Sequence, residues 1–253
     1  MSRVTAFVGS ARKKHTYHAV EQFIANLQAL GAVEGEIVSL NDYRLEPCIG
    51  CKLCFDKGED RCPLQDDRDV LIAKMMASDG VVFASPTYAF QVSGLMKTFL
   101  DRIGFILHRP RFFGKTCTSI AVQGVYGGQD VVKYLDFVGG GLGFNVVKGS
   151  CLTALEPMQE QDRQKIARTL LKHSRRFYSS LTKPAYPAPS LFRLMAFRMG
   201  RTSMQQMLDN DSYDYTYYME QGWFASSYYY PVRLGLLKKL AGETFDWLAQ
   251  VMT

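Results

Sequence analysis

The sequence predicts an α/β fold built on a parallel, doubly wound sheet. Two observations over the first seven-tenths of the chain support this class. Short β-rich segments alternate with longer amphipathic ones, as expected when helices connect parallel strands. The segment at residues 80–84 is continuously apolar, which is typical of a strand buried on both faces.

The elements follow from local patterns. A first strand is predicted at residues 3–9, and the helix after it ends at Gly31. The buried face of that helix has three-four spacing and consists of Val20, Phe23, Ile24, Leu27 and Leu30. The remaining elements are a strand at 36–40, a helix that Asp66 or Asp67 caps, a strand at 80–84, a helix at 93–105, a strand at 118–122, a helix at 129–138, a strand at 144–148 and a helix at 159–181.

A proline-rich segment at residues 183–189 predicts the end of the core domain. We therefore expect a core domain at 1–183 and a C-terminal extension at 184–253. The extension shows no strand signal and has helices predicted at 191–208 and 234–252, separated by an aromatic-rich stretch at 213–230 that would form a lid or a packing surface. An apolar face of the last helix predicts docking on the core or on a second subunit, and it consists of Leu237, Leu240, Ala241, Phe245 and Leu248.

The composition of the chain argues against nucleic-acid binding and against a membrane-spanning protein. The 253 residues carry a formal net charge of +6, but the charges of both signs are spread along the chain without a Lys/Arg run of the nucleic-acid-binding type, so no nucleic-acid partner is predicted. The chain has no apolar run near the roughly 18 residues of a membrane span and no recognisable secretory signal, which together predict a cytoplasmic protein. In a reducing compartment, its six cysteines are expected to be metal ligands, catalytic thiols or buried residues rather than disulfides.

Three predicted loops lie where open α/β sheets bind ligands, just after the strands. The first, residues 9–16, offers hydroxyls, a guanidinium and backbone N–H groups at a helix N-terminus, a combination that suits a phosphate dianion. The second, residues 85–93, leaves the sheet at Pro86 and presents the aromatic residues Tyr88 and Phe90. The third, residues 123–128, contains three glycines, which let backbone approach a planar ligand closely. Each loop alone also fits a polar turn, core packing or a plain connection; together they predict one ligand site.

Two motifs cover the first two loops and the helix after the second, namely Gly9-Ser10-x-Arg12 and Ser85-Pro86-x-Tyr88-x-x-x-Val92-Ser93-x-x-x-Lys97-x-x-x-Asp101-Arg102. They resemble the motifs of the NADPH-dependent FMN reductase family of the flavodoxin-like superfamily, and the resemblance covers roughly residues 1–181. It implies a flavodoxin-like sheet of five strands in the order 2-1-3-4-5. It also implies FMN as cofactor, with its phosphate on the first loop and its ring between the second and third.

Carried over to this chain, the resemblance implies that Ser10, Arg12 and Thr16 hold the phosphate. The residues expected around the ring are Ser85, Pro86, Thr87, Tyr88, Ala89, Phe90, Gly124, Tyr126, Gly127 and Gly128. Family members often have Asn-Gly-Asn before the threonine, whereas this chain has Lys14-His15, which leaves the contacts of Lys13 and His15 open.

Four cysteines after the second strand form a C-x2-C-x2-C-x7-C pattern, namely Cys48, Cys51, Cys54 and Cys62. This spacing lets three thiolates converge in one turn while the fourth closes from outside, as a cubane cluster requires. The pattern is similar to that of the iron–sulfur flavoproteins, a branch of the same family, which implies a [4Fe–4S] cluster. Zinc, a metal-free redox pair and a structural loop are the alternatives. Cys117 and Cys151 are expected to be core residues.

The resemblance implies an FMN-dependent oxidoreductase that passes electrons between NAD(P)H, or a reduced carrier such as ferredoxin, and a quinone, a flavin or another small molecule. The flavin would do the chemistry, so no side chain is predicted as a catalytic acid or base. The resemblance and the apolar tail predict a homodimer or higher homo-oligomer. The alternative is a non-catalytic flavin- or metal-binding interaction protein with a structural zinc or a free-thiol cysteine loop.

Overall fold

A computed structural model describes residues 1–183 and 186–252 of the chain, which divides into two compact units. The sheet unit comprises Met1–Ile49 and Leu64–Ala185, and the tail unit comprises Gly50–Pro63 and Tyr186–Thr253. The sequence did not predict that residues 50–63 group with the C-terminal extension. The domain boundary expected between residues 183 and 184 adjoins residues 184 and 185, which lie outside the described residues, and it stays a prediction.

The sheet unit confirms the α/β class and the parallel sheet. Its strands are β1 (Ser2–Val8), β2 (Val33–Ser39), β3 (Gly80–Tyr88), β4 (Gln91–Val92), β5 (Thr116–Gln123), β6 (Asn145–Val146) and β7 (Ser150–Thr153). The main path is β2-β1-β3-β5-β6, with β4 antiparallel to β3 and β7 parallel to β5. The expectation of five strands is therefore wrong, because the sheet has seven.

Of the last predicted strand, at residues 144–148, only Asn145–Val146 form a strand, β6, and the chain rejoins the sheet as β7 at Ser150–Thr153, beyond the predicted range. Between them, the Gly149 N–H donates to the Asp136 Oδ2 atom at 3.0 Å, and the Asp136 Oδ1 atom accepts from the Ser119 hydroxyl at 2.6 Å. Burial raises the pKa of this carboxyl group. A Cβ atom at position 149 would lie only 2.0 Å from the Ser119 Oγ atom, so this detour of the backbone requires glycine.

The other additional strand comes from the end of β3. The prediction stopped at Ala84, but β3 continues to Tyr88 and turns back into β4 as a two-residue hairpin. In the register of the sheet, Val8 pairs with Ala84 and Ala84 pairs with Ile120. This register brings the carboxyl ends of β1, β3 and β5 to one edge, where the predicted ligand loops begin.

Nine helices are present in the described residues, and most match the amphipathic predictions within a few residues. They are α1 (His15–Leu30), α2 (Leu53–Asp56), α3 (Arg68–Ala77), α4 (Gly94–Arg102), α5 (Gly128–Gly141), α6 (Glu160–Leu181), α7 (Leu191–Met207), α8 (Tyr213–Glu220) and α9 (Leu236–Met252). The helix α1 buries Val20, Phe23, Ile24 and Leu27 and has Gly31 as its C-cap residue, as predicted. Leu30, the last residue of the predicted buried face, is only half-buried. Within residues 1–183 and 186–252, none of the helices combines the length and the apolar composition needed to span a bilayer.

The tail unit contains α2, α7, α8 and α9, and its described residues include no strand. Asp246 on α9 joins two helices, because it accepts from Arg201 at 2.8 Å and from the Thr202 hydroxyl at 2.9 Å on α7. The aromatic stretch forms α8 and a cluster in which the Trp223 indole N–H donates to the Tyr229 carbonyl at 3.0 Å. On α9 the buried residues are Gly242 and Ala249, whereas Leu237 and Leu240 of the predicted docking face are exposed.

Candidate functional site

Three loops meet at the carboxyl edge of the sheet, and we refer to them together as the loop cradle. Loop 1 is residues 9–16, loop 2 is residues 85–93 and loop 3 is residues 123–128. Loop 1 is hydrogen-bonded both to strand β3 and to loop 2. The Gly9 N–H donates to the Ala84 carbonyl at 2.8 Å, and the Ser93 hydroxyl donates to the Gly9 carbonyl. The structure thus brings together the three loops that the sequence predicted.

Loop 1 leaves the first turn of α1 open to an anion. The Ser10 hydroxyl and the Lys14 N–H both donate to the Arg12 carbonyl, at 3.1 and 2.9 Å, which turns the chain into the helix. Among the described residues, no side chain caps α1, and its first turn carries no acidic residue. Thr16 is buried in this turn and Arg12 is exposed beside it. Uncapped N–H groups and a nearby guanidinium favour a phosphate there.

The two loop 1 contacts that the sequence left open are now described. The His15 Nε2 atom lies 3.1 Å from a Glu156 carboxylate oxygen, and the Lys13 ammonium lies 5.4 Å from the centre of the Tyr17 ring. Both side chains therefore have partners within the sheet unit. Within the predicted phosphate set, Arg12 supplies the positive charge. The binding roles of Ser10, Arg12 and Thr16 stay predictions.

Loop 2 is braced from inside by Ser85. This fully buried hydroxyl accepts from the Ser93 N–H at 2.9 Å and donates to the Pro86 carbonyl at 2.8 Å. Ser93 in turn caps α4, because its hydroxyl accepts from the Met96 N–H at 3.2 Å. Both hydrogen bonds of the Ser85 hydroxyl therefore stabilise the conformation of the loop. Contact between Ser85 and a cofactor stays a prediction.

The turn of loop 2 holds two non-glycine residues in the left-handed region. Thr87 pairs with Val92 and Tyr88 pairs with Gln91, while Ala89 and Phe90 have φ angles of 47° and 63°. Two-residue hairpins favour this conformation, but Asn and Gly are its usual residues. Each of these left-handed residues costs about 1–2 kcal/mol. The turn leaves the side chains of Tyr88 and Phe90 more than half exposed at the edge of the sheet.

Loops 2 and 3 contact each other around two glycines. A Cβ atom at Gly127, which has a φ of 92°, would lie 2.8 Å from a Phe90 ring carbon. A Cβ atom at Gly128 would lie 3.2 Å from the Thr87 hydroxyl and 2.5 Å from the Cys151 sulfur. The rings of Phe90 and Tyr126 meet edge to face at 6.0 Å. Larger residues at 127 and 128 would therefore push the two loops apart.

The Thr87 hydroxyl is the buried polar group of the cradle that remains unsatisfied. Its oxygen atom has no hydrogen-bond partner among the described residues. A buried hydroxyl without a partner costs roughly 1–3 kcal/mol, so such groups often mark a place where a ligand supplies the partner. Together with the uncapped α1 turn and the two glycines, this hydroxyl fits a planar cofactor with a phosphate tail.

Gln123 shapes loop 3, and the sequence analysis did not identify it. The side-chain oxygen of Gln123 accepts from the Gly128 N–H at 2.7 Å, and its Nε2 atom donates to the Val125 carbonyl and the Thr153 hydroxyl, each at 3.1 Å. The available signal was an amide side chain ending a buried strand before a glycine-rich loop. Gly124 and Tyr126, both predicted ring contacts, lie on the exposed part of this loop.

The charged residues that end the second resemblance motif, Lys97, Asp101 and Arg102, lie outside the cradle. Lys97 pairs with Asp101 on the surface of α4, whereas Arg102 is buried and donates to both oxygens of Asp66 at 2.9 and 3.1 Å. Asp66 also accepts the N–H groups of Glu46 and Arg68, at 3.0 and 3.2 Å. Burial opposes ionisation, but these hydrogen bonds prevail and lower the pKa of Asp66.

These contacts close the base of the loop that carries the four cysteines. A second pair reinforces them, because Asp67 accepts from the Arg44 N–H at 2.7 Å and donates its own N–H to the Arg44 carbonyl at 3.0 Å. We refer to Arg44, Glu46, Asp66, Asp67 and Arg102 as the base clamp. The expected cap of α3 is thus correct in part: Asp66 accepts from Arg68, while Asp67 occupies the cap position without a capping bond among the described residues.

The cysteine segment, residues 48–62, is divided between the units. Cys48 is exposed in the sheet unit; in the tail unit Cys51 is exposed, and Cys54 and Cys62 are half-buried. Within the described residues, no group of three or more His, Cys, Asp or Glu side chains is arranged to hold a metal ion. The roles of the four cysteines as metal ligands therefore stay predictions. Cys117 is buried in β5, and burial raises the pKa of the half-buried Cys151.

Comparisons with known proteins agree with this geometry. The family model for NADPH-dependent FMN reductase matches residues 2–155, which include the whole loop cradle. An iron–sulfur flavoprotein of Methanocaldococcus jannaschii is 37% identical over 110 residues, which are 42% of this chain and 56% of that protein. An iron–sulfur flavoprotein of Archaeoglobus fulgidus is 35% identical over 159 residues, which are 58% of this chain and 70% of that protein.

Solved structures share the fold at low identity. RosB with bound 8-demethyl-8-formylriboflavin-5'-phosphate has a TM-score of 0.60 and 12% identity, covering 93% of this chain and 92% of that one. The apo form of the NADH:FMN oxidoreductase EMOB has a TM-score of 0.52 and 18% identity, covering 75% and 97%. These two structures share the fold of this chain, and the family match shows the family to which it belongs. The chain belongs to the NADPH-dependent FMN reductase family, a family of flavin-dependent oxidoreductases.

Proposed function

We propose that this protein is an FMN-dependent oxidoreductase that passes electrons from NAD(P)H, or from a reduced carrier such as ferredoxin, to a quinone, a flavin or another small molecule. The observation that carries the proposal is the loop cradle, in which an uncapped helix N-terminus, two glycines and the unsatisfied Thr87 hydroxyl lie at one sheet edge. The family match over residues 2–155 supports FMN as the cofactor. Because the chain spans 56% of the M. jannaschii relative, the activity of that whole protein is not assumed.

In this proposal, loop 1 holds the phosphate through Ser10, Arg12, Thr16 and the N–H groups of the first α1 turn. Residues 86–90 of loop 2 and residues 124–128 of loop 3 would contact the ring, with backbone N–H groups and the Thr87 hydroxyl as its polar partners. When bound, FMN would supply hydride and single-electron chemistry. The protein's part is to position the ring and exclude water from one side, so none of its side chains is assigned as an acid or base.

The cysteine segment forms a separate part of the proposal. The M. jannaschii and A. fulgidus relatives are named iron–sulfur flavoproteins, which supports an iron–sulfur cluster. The C-x2-C-x2-C-x7-C spacing is our reason to propose a [4Fe–4S] cluster on Cys48, Cys51, Cys54 and Cys62. In the described residues no group of three or more His, Cys, Asp or Glu side chains is arranged to hold a metal ion, so we propose no electron transfer through these cysteines. Iron and acid-labile sulfide analysis of anaerobically purified protein tests the assignment. Four irons and four sulfides per chain are expected for the cluster, and zinc alone or no metal would refute it.

The enzymatic proposal is tested by the absorption spectrum of the purified protein and by its turnover. We expect flavin bands, or stoichiometric FMN uptake by the flavin-free chain, and oxidation of NADH or NADPH with a quinone, a dye or free flavin as acceptor. Protein that binds FMN but is reduced by neither nucleotide nor ferredoxin would instead be the non-catalytic flavin-binding protein. Homo-oligomerisation and a cytoplasmic location stay predictions, the first checked by light scattering and the second by fractionation.

A further inference from the structure

A cavity of about 580 Å³ lies in the sheet unit between the first turns of α1 and α6. Val122 and Leu152, near the carboxyl ends of β5 and β7, contribute to its lining. Its volume falls within the roughly 300–1,000 Å³ of small-molecule sites. Loops 2 and 3 contribute no residue to its lining, and it shares only Lys14 and His15 with loop 1. The cavity is therefore distinct from the proposed ring site.

The floor of this cavity is apolar. Val122 and Leu152 belong to the hydrophobic core of the unit and are almost fully buried, yet both reach the cavity. Ala154 and Ile166, which pack against the same core, extend the apolar surface towards α6. A ligand seated here would therefore place an apolar group against the side chains of the core, where burial of its surface favours binding.

The rim of the cavity is cationic. Lys14, His15 and His18 come from α1 and the residue before it, and Arg163 comes from the first turns of α6. His15 is paired with Glu156 at 3.1 Å, and His18 is paired with Glu21 at 2.8 Å. In the part of the chain that the structure describes, Lys14 and Arg163 take part in no ion pair. Glu156, the carboxylate of the lining, is thus already paired. Arg163 donates one hydrogen bond to the Met158 carbonyl at 3.3 Å, which orients its guanidinium at the cavity, and the positive charges of Lys14 and Arg163 are available to a ligand.

From this combination we infer that the cavity binds a small organic anion, a carboxylate or phosphate monoester carried on an apolar body. The anionic group would lie between Lys14 and Arg163, and the apolar body would lie on Val122, Leu152 and Ile166. Charge-assisted hydrogen bonds from a guanidinium to such anions are the strong ones, which makes Arg163 the principal recognition residue. The inference uses none of the ring-binding residues and does not depend on the activity proposed above.

Phenyl phosphate is a suitable probe of this cavity. Its binding to the full chain is measured by isothermal titration calorimetry, first on the protein as purified and again after saturation with FMN. We expect one phenyl phosphate per chain in both preparations. Benzyl alcohol, which lacks the anion, and inorganic phosphate, which lacks the apolar body, should each bind at least about tenfold more weakly. Absence of phenyl phosphate binding would overturn the inference, as would equal binding of inorganic phosphate.

Matched variants on α6 locate the site. Arg163→Gln should weaken phenyl phosphate binding about tenfold, the effect of losing one charge-assisted hydrogen bond. Lys165→Gln removes a charge from an exposed residue of the same helix that does not line the cavity, and it should leave affinity unchanged. Ala154→Phe places a ring in the cavity and should reduce phenyl phosphate binding. Both α6 variants should have the melting temperature of the parent protein, so that a change in affinity does not reflect a loss of fold. Equal effects of the two α6 variants would overturn the inference.

Competition with FMN separates this inference from the flavin proposal. If phenyl phosphate binds flavin-free protein and FMN displaces it one for one, the probe occupies the flavin phosphate turn and the separate site is refuted. If the chain takes up no FMN but binds phenyl phosphate through Arg163, the flavin proposal fails and this inference stands. Spectroscopic flavin content and calorimetric probe binding report on the two ideas independently.

Discussion

The loop cradle and the cysteine segment are both predicted cofactor sites, and they are organised differently. In the cradle, hydrogen bonds such as Gly9 to Ala84 and Gly128 to Gln123 fix the loops themselves. In the cysteine segment, the ordered contacts lie at the base, where Arg102 and Asp66 are almost fully buried. Beyond the base, Gly50 and Lys52 take left-handed backbone conformations, and Cys48 and Cys51 face solvent.

Physical chemistry explains this difference. A binding site for a large planar cofactor can be built from backbone hydrogen bonds and glycine residues. These groups carry no net charge, so they do not repel one another when the cofactor is absent. Four thiolates brought within a few ångströms repel one another unless a cation joins them, so the binding energy of the metal is usually part of the folding energy of such a site. A protein can therefore preform the first kind of site more fully than the second, while still fixing where the second will form.

Asp66→Asn tests the base clamp and should have the largest effect. It removes the charge that two nitrogen atoms of a buried Arg102 contact, and breaking a buried pair typically costs about 3–5 kcal/mol. Urea unfolding at pH 7 measures the loss. Asp101→Asn is the control, because it breaks the exposed Lys97–Asp101 pair of α4 and should cost less than about 1 kcal/mol. Equal losses in the two variants would show that the base clamp contributes no more than a surface pair.

The same pair predicts a pH dependence. The pKa of Asp66 is lowered in the folded protein from its usual 3.8, so the folded state binds its proton less readily than the unfolded state. This contribution to stability is complete above that value and is lost as the pH falls through the lowered pKa. Unfolding curves between pH 7 and pH 3 should therefore decline less steeply for D66N than for the parent protein. Parallel declines would contradict the assignment.

Gly127→Ala tests whether the cradle depends on glycine, with Gly124→Ala as its match. At position 127 the φ of 92° and the approach to Phe90 both oppose a Cβ atom, whereas at position 124 the nearest side-chain atom is 3.9 Å away. We expect flavin-free G127A to lose about 2 kcal/mol of unfolding free energy and G124A less than about 0.5. Similar losses in both variants would mean that loop 3 tolerates side chains throughout.

Thr87→Val separates stability from cofactor binding. The change removes an unsatisfied hydroxyl at almost constant volume, so the flavin-free protein should be as stable as the parent or slightly more stable. If this hydroxyl is a partner of the flavin, FMN affinity measured by flavin fluorescence should fall about tenfold. Thr153→Val is the contrasting variant, because it removes the partner of Gln123 and should lower stability by about 1 kcal/mol. Unchanged FMN affinity in T87V would exclude the hydroxyl from the site.

Local patterns predicted what local forces determine. The helix α1 was placed by the three-four spacing of Val20, Phe23, Ile24 and Leu27, and the cradle was placed by loops that follow buried strands. The features that the local patterns did not predict depend on contacts between residues that are distant in sequence. The break between β6 and β7 depends on Asp136 and Ser119, and the brace of loop 3 depends on Gln123 and Thr153. The hairpin after β3 holds Ala89 and Phe90 against their own backbone preference, so no propensity could have indicated it.

That hairpin gives the smallest and most specific of the predictions. Phe90→Ala and Phe90→Gly both remove the ring that lies beside Tyr126 of loop 3, so they should weaken FMN binding equally if this ring contacts the cofactor. They differ only in the Cβ atom at a residue whose φ is 63°. Because glycine occupies this region without steric cost, F90G should be more stable than F90A by up to about 1 kcal/mol, although glycine also gains entropy in the unfolded chain. Denaturation of both flavin-free variants measures the difference. A less stable F90G would show that the turn does not hold residue 90 in a left-handed conformation.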